Sequence, residues 1–84
     1  MNLPSQPALT LADLQPGDHV RVVAIAKSDD PVYQRLLHMG LIRGRSVEVV
    51  RKAPAGDPIE IRFLGYSLSL RLSEARRVSV RRVA

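Results

Sequence analysis

The chain has 84 residues, a formal net charge of +5 and no cysteine. That length suits one small domain, burying about 60–65% of its unfolded surface. The lack of thiols excludes disulfide staples and thiolate zinc sites, and it fits a reducing compartment. Of the 13 basic residues 11 are arginine. Such an excess suits an anionic partner, whether nucleic acid, an acidic protein face or anionic lipid, or simply a well-solvated surface.

Residues 1–9 carry two prolines and no periodicity and are expected to form a disordered tail. Residues 10–84 are expected to form the domain. Met1 to Ser5 lacks the basic and apolar regions of a signal peptide, and no apolar run approaches the roughly 18 residues needed to span a bilayer. The expected location is therefore the cytoplasm. Thr10 begins a short capped turn with Leu11 and Leu14 on one side. Pro16 and Gly17 mark the next turn, Pro fixing one corner and Gly supplying positive φ at the other.

Residues 19–26 read as the first strand. Val20 and Val22 share one face, Val23 and Ile25 the other, and this change of parity predicts a bulge or a strand covered on both faces. A short helix follows. Asp29 or Asp30 can cap it, Pro31 fits its first position, and Gly40 fits the left-handed residue just past its end. Leu41 is then expected to fold back onto Leu36. A helix of about nine residues is not stable alone in water and must lean on the flanking strands. Val32, Leu36 and Met39 fall on one narrow stripe, which Tyr33 and Leu37 widen to one side.

Gly44 ends a tight connection into a second strand over residues 45–52, in which Val47 and Val49 face inward. A Pro/Gly-rich loop leads to Ile59, Ile61 and Phe63, which alternate with Glu60 and Arg62. Gly65 permits a hairpin, and Leu68, Leu70 and Leu72 continue the alternation in the return strand. Residues 73–75 make a single capped turn before a last short strand at Val78 and Val80. The predicted fold is mainly β: a small SH3-like five-stranded barrel with one inserted short α-helix, since closure of a small curved sheet removes exposed edges. The expected core is Val20, Val22, Ile25, Leu36, Leu41, Val47, Val49, Ile59, Ile61, Phe63, Leu68, Leu70, Val78 and Val80. Pro16, Gly17, Gly40, Gly44 and Gly65 serve as structural turns.

These residues also carry a family resemblance. Leu11-x-x-Leu14-x-Pro16-Gly17, Arg35-Leu36-Leu37-x-Met39-Gly40-Leu41-x-x-Gly44, Gly56-Asp57-Pro58 and Leu70-Arg71-x-x-Glu74-Ala75 together resemble the FeoA family, over residues 11–80. The family often has proline before the second glycine of its core motif, where this chain has Arg43. The resemblance implies an SH3-like fold and a small cytoplasmic accessory of bacterial ferrous iron uptake. Its implied partner is FeoB, a membrane permease with a cytosolic GTPase domain, which would bring the chain to the inner membrane face indirectly. A similar barrel occurs at the C-terminus of DtxR-type repressors; with no DNA-binding helices before the barrel in this sequence, the free-standing form is expected.

The chemistry in the sequence points the same way. His19 and His38 show no His-x-x-Glu, Glu-x-x-His or paired-histidine spacing, and Asp18-His19 reads as a chance pair, so neither metal ligation nor a cofactor is expected. No nucleophile motif or phosphate loop is present, so the chain is not expected to be an enzyme. The apolar stripe of the helix is wider than a single core contact requires. Its outer edge, Tyr33 and Leu37, with Met39, Arg35 and Arg43 nearby, is the expected partner-binding surface, because Tyr and Arg often dominate interface energies. Self-association through sheet edges is compatible with this fold. The alternative is a small basic barrel that binds nucleic acid. Single-strand readers stack bases on exposed aromatics, and here the aromatics are Tyr33, Tyr66 and Phe63, the last read as core.

Overall fold

A computed structural model describes residues 9–83. In chain order, a 3-10 turn η1 (Leu11–Asp13) precedes β1 (His19–Ile25), α1 (Pro31–His38), β2 (Ser46–Lys52), β3 (Ile59–Phe63), β4 (Tyr66–Leu70), a one-turn α2 (Leu72–Ala75) and β5 (Val78–Arg82). The strands form one antiparallel sheet in the order β4-β3-β2-β1-β5. β4 and β5 are the ends of the ladder, and α2 carries the chain from one to the other. This is the mainly β, SH3-like architecture expected from the alternation of apolar residues. Two bulges curve the sheet, between Val22 and Ala24 against β5 and between Val49 and Arg51 against β3. An extra residue on one strand bends it and sharpens its twist. The first bulge explains the parity change in β1: Val22 faces inward opposite Val80, Val23 is the extra residue and is turned outward, 39% exposed, and Ile25 comes back against the core opposite Val78.

The core holds twelve of the fourteen expected residues, while Ile25 and Leu68 pack against it only partly buried. It also contains Leu11, Leu14 and Ala75, which were not in the expected set. All three sit in single turns too short to show a period. η1 lies against α2 and β5, and Thr10 bridges to Ser79, so these turns close the end of the barrel. The tail expected over residues 1–9 lies outside the described residues except for Leu9. The Leu9 carbonyl accepts from the Val80 amide at 2.8 Å, and its side chain packs against the core.

Each glycine placed in a turn by the sequence has positive φ. Gly40 matters most. Its amide donates to the Leu37 carbonyl at 3.0 Å and the Leu41 amide donates to the Leu36 carbonyl at 3.2 Å. These two bonds form the Schellman motif that satisfies the last free carbonyls of α1. Leu36 and Leu41 are both fully buried.

Only Leu36 among the residues of α1 is buried, so polar ties hold the helix at both ends. Asp30 caps the start, its Oδ1 accepting from the Val32 amide at 3.1 Å. The same carboxylate accepts both terminal nitrogens of Arg77, at 2.8 and 2.7 Å. Arg35 pairs with Glu74 of α2. At the other end, the Tyr66 hydroxyl donates to the Met39 carbonyl at 3.1 Å and Arg45 Nε donates to the Gly40 carbonyl at 2.9 Å.

The Arg77 hydrogen bonds, reinforced by its charge, hold the Asp30 carboxyl at about 2, below its ordinary 3.8. The unfolded chain therefore binds this proton more tightly than the folded one. The contribution to stability is complete above the ordinary carboxylate value and is lost as pH falls from near 3.8 through about 2. Asn caps a helix as well as Asp does, so Asp30→Asn removes the charge and keeps the cap. Thermal melts followed by circular dichroism should show the variant below wild type at neutral pH, with a shallower acid decline and convergence near pH 2. Parallel curves would show that the pair does not latch the helix.

Candidate functional site

The family-motif residues prove to be largely architectural. Gln15 accepts from the Asp18 amide at 3.0 Å across Pro16 and Gly17, as a turn with glycine at its third position requires. Asp57 of Gly56-Asp57-Pro58 accepts from the Leu72 amide at 3.1 Å and so caps α2. Glu74 accepts from the Arg71 amide at 2.9 Å and also receives Arg35. Two separated motifs, Arg35-Leu36-Leu37 and Leu70-Arg71-x-x-Glu74-Ala75, are thus joined through one ion pair.

The five expected contact residues are not all brought together. Arg35 is turned toward Glu74. Met39 is partly buried and packs against the core. Arg43 sits on the turn before Arg45 and lines a concavity with Arg21, Val22, Val23, Gly44 and Arg81, on the outer face of the sheet. Tyr33 and Leu37 remain paired one turn apart on α1. Both are half-buried, and neither belongs to the core cluster that takes Val32, Leu36 and Met39.

Sequence reasoning missed the tip of the β3–β4 hairpin. Leu64 is 59% exposed and adopts φ 51, the only described non-glycine residue at positive φ. Gly65 follows at φ 84, so both central residues of the two-residue turn are left-handed, which favours Asn-Gly. Leucine there is both strained and solvent-facing. Tyr66 is 50% exposed, and its ring lies 5.1 Å from that of buried Phe63. The tip meets the C-terminal end of α1: Tyr66 bonds Met39, and Leu64 and Phe63 are the nearest side chains to the open side of Gly40. Ile42, just beyond, is 46% exposed. The signal available in the sequence was the apolar Leu64 directly before the turn glycine, where a polar residue is usual.

Among the described residues no group of three or more His, Asp or Glu side chains converges as a metal site would require. The imidazole of His19 stands 3.9 Å from Glu48, and both are partly exposed. No helix among the described residues is long and apolar enough to cross a membrane.

A sequence model of the FeoA domain family matches residues 9–82. A fusion of Fe(2+) transport protein A with the Fe(2+) transporter FeoB, from Porphyromonas gingivalis, is 32% identical over 72 residues. The match takes in 86% of this chain and 8% of that much longer relative. The solution structure of a FeoA-like protein from Clostridium acetobutylicum superposes with a TM-score of 0.82 at 35% identity, over 95% of this chain and 92% of the other. A Stenotrophomonas maltophilia FeoA crystallised with zinc, described as a prokaryotic SH3 domain protein, gives 0.80 at 31% identity, over 88% and 91%.

Proposed function

The chain belongs to the FeoA family, and on that premise we propose that it is a non-catalytic accessory of ferrous iron uptake that works by contact with a FeoB-type GTPase-permease. The observation that carries this reading is the fused relative, in which a segment similar to this chain is part of the same polypeptide as a FeoB transporter. Covalent linkage raises the local concentration of one module at the other, so even a weak contact is populated. Acting beside such a permease would put the chain at the cytoplasmic face of the inner membrane.

The contact surface consists of the outer edge of α1, Tyr33 and Leu37, continued by Leu64 and Tyr66 on the hairpin tip. A strained, exposed leucine is costly to keep unless something uses it, and half-buried aromatic and aliphatic side chains are the usual anchors of a small interface. The latches at Asp30, Arg35, Tyr66 and Arg45 fix α1 against the barrel, so the surface is presented in one arrangement. Capture of a FeoB cytosolic GTPase domain by the wild-type chain, and loss of capture with Tyr33→Ala/Leu37→Ser at unchanged circular dichroism, is the expected outcome. Equal capture by a folded double variant would rule out this edge.

A further inference from the structure

A different observation stands on the outer face of the sheet. We infer that Arg21, Arg43 and Arg81 form a binding site for a phosphoryl oxyanion. Arg21 of β1 and Arg81 of β5 are direct partners in the antiparallel ladder, so their side chains leave the same face side by side. Like charges in that position are destabilising. Arg43, on the turn behind them, adds a third positive charge to the same concavity of about 220 Å³. Among the described residues no carboxylate lies within ion-pair distance of any of the three, although Arg35, Arg51, Arg77 and Arg82 each have one.

The site is held in place before any ligand arrives. Arg21 Nη1 donates to the Gly44 carbonyl at 3.0 Å. The Gly44 amide donates to the Val22 carbonyl at 2.8 Å, and the Val22 amide donates to the Arg45 carbonyl at 2.9 Å. The turn that carries Arg43 is therefore tied to β1, and one guanidinium is oriented by the turn's own backbone. The planar fork of arginine matches the oxygens of a tetrahedral oxyanion. Val23, 39% exposed, adds an apolar wall, which suits a phosphoryl group carried on an organic body. This site is separate from Tyr33 and Leu37 and does not rest on the partner reading.

The test is the thermal midpoint of the full chain titrated with inorganic phosphate, with chloride replaced to keep ionic strength constant. The wild type should show a saturable rise, as binding to the native state requires. Arg81→Ser removes a repelling charge, so it should fold at least as well as wild type without phosphate, whereas Arg21→Ser also loses the bond to the Gly44 carbonyl and is compared with wild type through its phosphate response. Each should also weaken the apparent affinity by about tenfold or more, since a charge-assisted hydrogen bond is lost. Arg62→Ser, on β3, should respond like wild type. A rise that never saturates, or one that persists in Arg21→Ser and Arg81→Ser, would overturn the site. Vesicles identify the source. Retention on phosphatidylglycerol but not phosphatidylcholine vesicles, lost in Arg81→Ser, assigns it to a lipid headgroup. No retention beside an intact phosphate response assigns it to a soluble phosphorylated molecule. Tighter binding to single-stranded oligonucleotide than to phosphate, lost in the same variants, would replace the small ligand by a nucleic-acid backbone.

Discussion

Leu36→Ala is expected to lower the unfolding free energy by about 2–5 kcal/mol, the range for truncating a buried leucine to alanine. Leu36 is fully buried and is the only buried residue of α1, so the variant removes the helix's sole deep anchor as well as leaving a cavity. An eight-residue helix has no stability of its own. The surrounding ion pairs are partly exposed, so each adds less than this buried apolar contact. A domain of this size has a total stability of only about 5–15 kcal/mol. Urea denaturation should therefore show a large fall in midpoint, together with lost helical signal before the main transition. Leu36→Met, which conserves volume, should cost less than about 1.5 kcal/mol. A loss below 1 kcal/mol for the alanine variant would mean that α1 does not depend on this contact.

Leu64→Asn is expected to act in opposite directions on stability and on binding. Leu64 adopts φ 51, a left-handed conformation that costs an ordinary L-residue roughly 1–2 kcal/mol. Asparagine tolerates that conformation and makes the Asn-Gly pair favoured in such hairpins. Because the side chain is 59% exposed, little core contact is lost, so the unfolding free energy should rise by about 0.5–1 kcal/mol. If Leu64 is part of the docking surface, the same change should weaken association with the GTPase domain by about tenfold or more, since an apolar anchor is replaced by a polar one. Gain of stability with unchanged binding would leave the strained leucine without a role in the contact. Loss of stability would mean that the exposed side chain is held in place by packing on Gly40 and Phe63.

Most of the architecture could be read from short-range signals because it is built from them. The Asp30 cap, Pro31 at the first position and Gly40 past the end delimit α1 as expected, and the bulge in β1 was visible as a parity change among Val20, Val22, Val23 and Ile25. Leu11, Leu14 and Ala75 escaped because single turns have no period, and their burial depends on η1 and α2 meeting across the end of the barrel. Leu68 alternates correctly and Ile25 is brought inward by the bulge, yet both stay only partly buried against the core. The candidate surface was less legible. Sequence spacing put Arg35 beside Tyr33, yet its partner is Glu74, 39 positions away, and spacing along one helix cannot show a tertiary ion pair. Sequence position likewise places Arg43 near the helix edge, while the turn at Gly44 carries it to the concavity shared with Arg21 and Arg81. Leu64 is informative only once its backbone conformation is known.

The contact with a FeoB-type GTPase domain is tested most directly by amide chemical-shift mapping on the labelled chain during titration with that domain. The predicted result is a saturable set of perturbations at residues 33–42 and 63–66, with β2 little changed. Saturable shifts confined to other strands, or none at concentrations where the two proteins would meet beside a membrane, would contradict it.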